Sequence, residues 1–157
     1  MEERKIEFAY KVLKNEELSD LDDLLRRVVI QASGHAYAPY SKLNVGAAVM
    51  FSGGGHVKGC NQENAAYPSG LCAERVALFS ARSTFPDTTI ETLGIVALKD
   101  GNVQFSVSPC GACRQVLLET ELRQEHDIRV VLFGRKEAII VPSAKDLLPI
   151  YFWEANL

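Results

Sequence analysis

Across 157 residues the sequence has no apolar run near the roughly 20 residues that a membrane-crossing helix requires. It also lacks the apolar core of a secretion signal: Met1-Glu2-Glu3-Arg4-Lys5 is charged, and Glu7 and Lys11 interrupt the stretch that follows. There is no excess of basic charge. The formal net charge is −3, and Arg26-Arg27 and Arg135-Lys136 are only pairs, which argues against a phosphate-coated polymer as the main partner. Low-complexity tracts and internal repeats are missing as well. Cysteine is sparse, with 4 residues, but a chain of this length buries roughly 68–70% of its unfolded surface and needs no disulfide staples. These absences predict a cytoplasmic protein with no membrane and no nucleic-acid partner. In that reducing compartment Cys60, Cys72, Cys110 and Cys113 read first as thiols or metal ligands.

What is present is a regular alternation of patterns. Ile6, Phe8, Tyr10 and Val12 recur with period two and predict a strand over 5–13. Ser19 reads as an N-cap for a helix over 20–36, with Leu21, Leu24, Leu25, Val28 and Val29 on one side. An apolar run over 45–51, the triplet Gly53-Gly54-Gly55 and the segment His56–Cys60 predict a β-hairpin. A loop over 61–70 leads to a helix over 72–84 and a strand over 92–98. Next come a helix over Gly111–Gln124, strands over 128–134 and 138–141, and a short helix from Ser143. Helices alternating with strands in the second half predict crossovers and parallel pairs. The expected architecture is α/β, a mixed sheet with helices on both faces.

The chemistry concentrates in Cys72-Ala73-Glu74 and Pro109-Cys110-Gly111-Ala112-Cys113. Residues three apart at a helix start share a face, with Cβ atoms about 5–6 Å apart, a gap that two Zn–S bonds can span. Cys72 opens another helix and supplies a third thiolate, since helix N-termini favour the ionised thiol. Three protein ligands leave one tetrahedral position for water, the arrangement of a catalytic zinc. Glu74, on the first helical turn, is placed to take a proton from such a water and hand it to a substrate. Three thiolates make the site anionic, so a donor to the sulfurs is expected. Arg75 is one candidate and Arg114 another. Taken singly, each feature has a plainer reading. C-x-x-C serves as a redox pair or half of a structural zinc site, Cys72 as a small buried hydrophobe, and Glu74 as a solvated first-turn carboxylate. In combination, C-A-E followed by P-C-x-x-C is the signature of zinc deaminases with Cys as first ligand.

The sequence resembles the small, homotetrameric, zinc-dependent cytidine deaminases. The resemblance runs from Tyr37-Ala38-Pro39-Tyr40-Ser41-Lys42 through Val45-Gly46-Ala47-Ala48 and Gly59-Cys60-Asn61-Gln62-Glu63-Asn64-Ala65-Ala66-Tyr67, takes in both zinc motifs, and reaches Leu147-Leu148-Pro149. It implies a three-layer α/β/α fold with a five-stranded mixed sheet, formed by a deaminase domain over 20–157 after an extension over 1–19 that offers an edge strand. It implies one Zn2+ per subunit, held by Cys72, Cys110 and Cys113, with Glu74 shuttling protons while cytidine or 2′-deoxycytidine becomes the uridine nucleoside and ammonia leaves, a step of pyrimidine salvage. Asn61 and Glu63 would grip the ribose 3′-hydroxyl. The Ala73 N–H and the Ser108 carbonyl would meet the base, and Arg75 would donate to the thiolates. Tyr67 and Phe152 would approach a neighbouring subunit's site. Leu43 stands where the family often has an aromatic residue packing on the nucleoside.

Two rivals stay open on the sequence alone. A deaminase of blasticidin-type nucleoside antibiotics shares the zinc motifs but has no use for the Asn61/Glu63 pair. A zinc-stabilised module without catalysis keeps the three cysteines and has no use for Glu74.

Overall fold

Ser19 opens α1 (Asp20–Ser33), its hydroxyl oxygen accepting the backbone N–H of Asp22 at 3.1 Å. Leu25, Val28, Val29 and Ala32 follow at helical spacing and are buried against the sheet. The helix stops short of the expected residue 36. Gly34 ends it, and the Gly34, His35 and Ala36 amides reach back only three residues, to Gln31, Ala32 and Ser33. The computed structural model describes residues 1–153, so the end of the expected deaminase domain, 154–157, lies outside the described residues.

The remaining elements are β1 (Lys11–Lys14), β2 (Leu43–Phe51), β3 (His56–Cys60), α2 (Ala73–Thr84), β4 (Ile90–Lys99), β5 (Asn102–Val103), α3 (Gly111–Gln124), β6 (Arg129–Phe133) and β7 (Glu137–Val141), then a 3₁₀ turn, Ala144–Leu147. The β2–β3 hairpin turns through Gly54 and Gly55, both at φ 85°, where glycine carries no steric penalty. The strands form one sheet in the order β1-β7-β6-β4-β2-β3, with β5 pairing the end of β4. Seven strands replace the expected five, because β1 adds an edge beyond β7 and β5 adds a two-residue rung. Only β4 and β6 run parallel, joined by the α3 crossover, and every other pair is antiparallel.

The expected N-terminal strand over 5–13 is also corrected. Pairing begins at Lys11, opposite Ile140, and runs to Lys14 opposite Glu137. Extending it backward would set residue 9 opposite Pro142, which has no N–H for the ladder. Alternation in the sequence therefore outlasts the partner strand. Ile6, Phe8 and Tyr10 remain exposed.

The sheet separates two cores. Val29 and Leu25 of α1 meet Ala48, Met50, Val96, Val131 and Phe133 on one face. On the other, Ala73, Ala77, Leu78 and Ala81 of α2 and Leu117 of α3 meet Val49, Leu93, Ile95, Val130 and Leu132. The α/β/α layering of the expectation is present. Because α3 follows a parallel strand, its first turn lies beyond the carboxyl end of β4, where open α/β sheets place their sites.

Candidate active site

Helix starts bring the sulfurs together. Cys72 is the N-cap of α2 and Cys110 the N-cap of α3, both in extended backbone, while Cys113 lies one turn into α3. Cys72 Sγ is 3.8 Å from Cys110 Sγ, which is 3.4 Å from Cys113 Sγ, and all three lie within 4.8 Å of one another. Zn–S bonds of about 2.3 Å at tetrahedral angles require sulfurs about 3.8 Å apart. The donor set fits zinc in number, type and spacing. Burial is graded, with Cys113 enclosed, Cys72 half-buried and Cys110 exposed, so one side of the cluster faces solvent. Among the described residues no other group of three metal-ligating side chains occurs. Cys60 lies outside the cluster, its sulfur accepting from Gln62 Nε2 at 3.3 Å.

The electrostatics follow from the crowding. The nearby Cys113 thiol, helped by the Arg75 guanidinium, outweighs burial and brings Cys72 down from 9.0 to about 5. The closeness of Cys72, burial and the Glu74 charge push Cys113 up. Arg75 Nη2 donates to Cys72 Sγ at 3.8 Å. Arg114, the other expected donor, turns away from the sulfurs, to the Pro109 and Leu147 carbonyls and the Ser108 hydroxyl.

Glu74 is 5% exposed, on the first turn of α2. Burial raises its pKa above the usual carboxylate range and the nearby Cys72 charge adds to this, while its own backbone N–H, Cys113 and Arg75 oppose. A carboxylic group held this way is suited to accepting and returning a proton.

A cleft of 580 Å³ opens over Cys72 and Arg75, lined also by Asn61, Glu63, Tyr67, Tyr40 and Ser41. The Asn61–Leu71 wall is laced by paired bonds between Gln62 and Leu71, both 2.9 Å, and by bridges from Tyr37 to Asn61 and Glu63. Asn61 Oδ1 accepts from the Val45 N–H at 2.8 Å and its Nδ2 donates to the Leu43 carbonyl at 2.9 Å. Glu63 Oε2 accepts from the Tyr40 and Ser41 amides at 2.9 and 3.3 Å, and the Ser41 side chain, followed by these amides, lowers its pKa.

Of the residues singled out in the sequence, Asn61, Glu63, Tyr67, Cys72 and Arg75 share this cleft, and Ala73 and Glu74 lie directly behind Cys72 on α2. Leu43, Ser108 and Phe152 do not line it. Leu43 is half-buried at the start of β2, Ser108 is exposed beside Arg114, and Phe152 is exposed with its carbonyl accepting from Gln115 Nε2 at 2.9 Å. Sequence reasoning missed the Tyr40 and Ser41 amides. They meet a carboxylate more than 20 residues away, and backbone donors leave no residue-type signal.

Comparison with known proteins agrees with this geometry. Residues 19–125 match the family model of the cytidine and deoxycytidylate deaminase zinc-binding region. A cytidine deaminase of Halalkalibacterium halodurans is 43% identical over 126 residues, 80% of this chain and 89% of that protein. One from Mycobacterium tuberculosis is 40% identical over 116 residues, 71% of this chain and 84% of that protein. The crystal structure of a cytidine deaminase from Burkholderia pseudomallei superposes with a TM-score of 0.70 at 37% identity, covering 83% of this chain and 98% of its own. A zinc-binding region matched over most of the chain, three thiols at zinc spacing and a shared fold place this chain in the cytidine and deoxycytidylate deaminase zinc-binding family.

Proposed function

We propose that this enzyme hydrolyses cytidine and 2′-deoxycytidine to uridine and 2′-deoxyuridine, releasing ammonia, as a step of pyrimidine salvage. One observation carries the reading: a buried carboxyl of raised pKa, Glu74, stands two residues from Cys72 of a three-thiol cluster, and Cys72 lines a cleft. With zinc bound, Cys72, Cys110 and Cys113 present a Lewis acid that makes water nucleophilic near neutral pH. Arg75 offsets the negative charge of the sulfurs. Glu74 takes the proton of the attacking water and delivers it to ring N3 as the C4–O bond forms. It then moves the second water proton to the exocyclic nitrogen, and the C4–N bond breaks to release NH3. The Ala73 N–H and the Ser108 carbonyl hold the base.

Glu63 Oε1 and the unused valences of the Asn61 amide suit the 3′-hydroxyl, a group common to both nucleosides. Because Asn61 and Glu63 Oε2 also hold the Tyr40–Val45 segment, they form the cleft wall as well as facing its contents. Leu43 gives the sugar side apolar contact without aromatic stacking. A homotetramer fits the exposed apolar side chains Tyr67, Phe105, Ile150 and Phe152, at 82, 82, 88 and 62% exposure. In it, Tyr67 and Phe152 would approach a neighbour's site. The expected compartment is the cytoplasm, which the four free thiols suit.

A substrate panel with Glu74→Gln tests the reading. Ammonia release is followed on cytidine, 2′-deoxycytidine, cytosine, cytidine monophosphate and blasticidin S, alongside bound zinc. The expected result is turnover of the first two only. The variant should keep one zinc per chain and lose at least about 100-fold in kcat, the contribution of a general acid–base group. Full activity in Glu74→Gln, or turnover of blasticidin S alone, would overturn the assignment.

A further inference from the structure

Arg114 follows Cys113 directly, yet its guanidinium goes elsewhere. Nε donates to the Pro109 carbonyl at 2.9 Å, Nη2 to the Ser108 hydroxyl at 2.8 Å and Nη1 to the Leu147 carbonyl at 3.0 Å. The three acceptors belong to two separate stretches, the segment leading into α3 and the end of the 3₁₀ turn near the carboxyl terminus. Among the described residues no carboxylate pairs with Arg114, and no other hydrogen bond holds Ser108 or the Pro109 carbonyl. Ser108 is exposed and has no regular structure, and among the described residues the hydrogen bond that holds it comes from Arg114. A planar fork of fixed donors suits three acceptors at once, whereas an ammonium offers one point of charge.

We infer that Arg114 is a positioning residue for nucleoside binding: it fixes Ser108 and Pro109 against the body of the protein at Leu147, so that the Ser108 carbonyl stands ready for the base. This rests on the deaminase reading above. The Arg114 guanidinium bonds none of the three sulfurs, so its effect falls on the binding of the ring rather than on proton transfer by Glu74.

The test compares Arg114→Lys and Arg114→Met with wild type, using KM and kcat for cytidine, bound zinc, and amide hydrogen exchange over residues 106–110. Loss of a charge-assisted bond corresponds to about tenfold or more in affinity. KM should therefore rise at least about tenfold in Arg114→Met, with kcat within about threefold and zinc unchanged. Arg114→Lys should recover little of the loss. Exchange over 106–110 should quicken while the α3 amides stay protected. An unchanged KM with unchanged exchange would overturn the inference, as would a fall in kcat together with zinc loss, which would make Arg114 a support of the metal centre. Absence of wild-type turnover would sink the deaminase reading instead, and the exchange data would still decide whether Arg114 holds the segment.

Discussion

At the scale of single residues, position on a helix decides what a side chain does. Cys72, Cys110 and Cys113 are unremarkable thiols until two helix starts bring them within 4.8 Å. Crowding then makes them unequal. With zinc removed, Cys72 carries the charge down to about pH 5, while Cys113 keeps its proton. In zinc-stripped protein, iodoacetamide should therefore alkylate Cys72 at pH 6–7 and leave the buried Cys113 unmodified, with labelling at Cys72 fading only as the pH falls through about 5. Peptide mass spectrometry reads the outcome. Equal labelling of the two, or a midpoint near the usual thiol value, would contradict it. Asn61 shows what residue type conceals. Besides the sugar contact proposed for it, its amide bonds the Val45 N–H and the Leu43 carbonyl as a neighbouring strand would.

Between elements, two glycines let helices lie close to the sheet. A Cβ on Gly59 of β3 would stand 2.4 Å from the Ala77 nitrogen and 2.5 Å from the Ala73 oxygen of α2, and one on Gly46 of β2 would stand 2.0 Å from the Val29 oxygen of α1. These obstacles are backbone, so only movement of a helix relieves them. Because α2 carries Cys72, Glu74 and Arg75, displacing it separates them from Cys110. Gly59→Ala is expected to destabilise the fold by about 1–3 kcal/mol or more, as overpacked cores do, and to weaken zinc retention against a chelator. Gly53→Ala, in the hairpin turn with no atom within 4 Å of the added carbon, serves as the control and should leave both unchanged. Thermal unfolding and zinc-release assays decide the matter. Undiminished zinc retention in a folded Gly59→Ala protein would show that α2 need not sit so close.

For the whole molecule, a buried ion pair fastens one outer layer to the sheet. Arg129 of β6 forms a fork on Asp22 of α1, with bonds of 2.6 and 2.8 Å, and the side chains are 31 and 8% exposed. Burial alone would raise the Asp22 pKa, but the hydrogen bond and charge of Arg129, with Ser19, outweigh it and hold the value below 3.8. A depressed folded pKa means the stabilisation is complete above the unfolded value and is lost as pH falls through the folded one. Asp22→Asn should therefore destabilise by about 1–3 kcal/mol at pH 7, less than a fully buried pair because Arg129 is partly solvated. The gap from wild type should shrink at a second, lower pH, taken below the depressed value of the Asp22 carboxyl. Urea unfolding at the two pH values measures it, and a gap that persists at the lower pH would argue against a charged Asp22 as its source.

Local patterns were enough for much of this. Helical spacing, the Ser19 cap and the glycine turn of the hairpin are short-range effects, and they located α1, α2, α3 and the β2–β3 hairpin to within a few residues. The two cysteine motifs likewise carried the metal centre, because ligand spacing on a helix start is itself local. Much that depended on a distant partner was illegible, although the meeting of Cys72 with Cys110 and Cys113 was not. Pro142 curtailed β1, the β1 edge and the β5 rung together raised the sheet from five strands to seven, and the fork of Arg114 turned to Leu147 rather than the sulfurs. Residue type and spacing thus determined the elements and the chemistry available to them. Which groups meet across 20 or 100 residues was decided only when two cores closed on either side of one sheet, since burial and backbone pairing are properties of the packed chain and not of any segment.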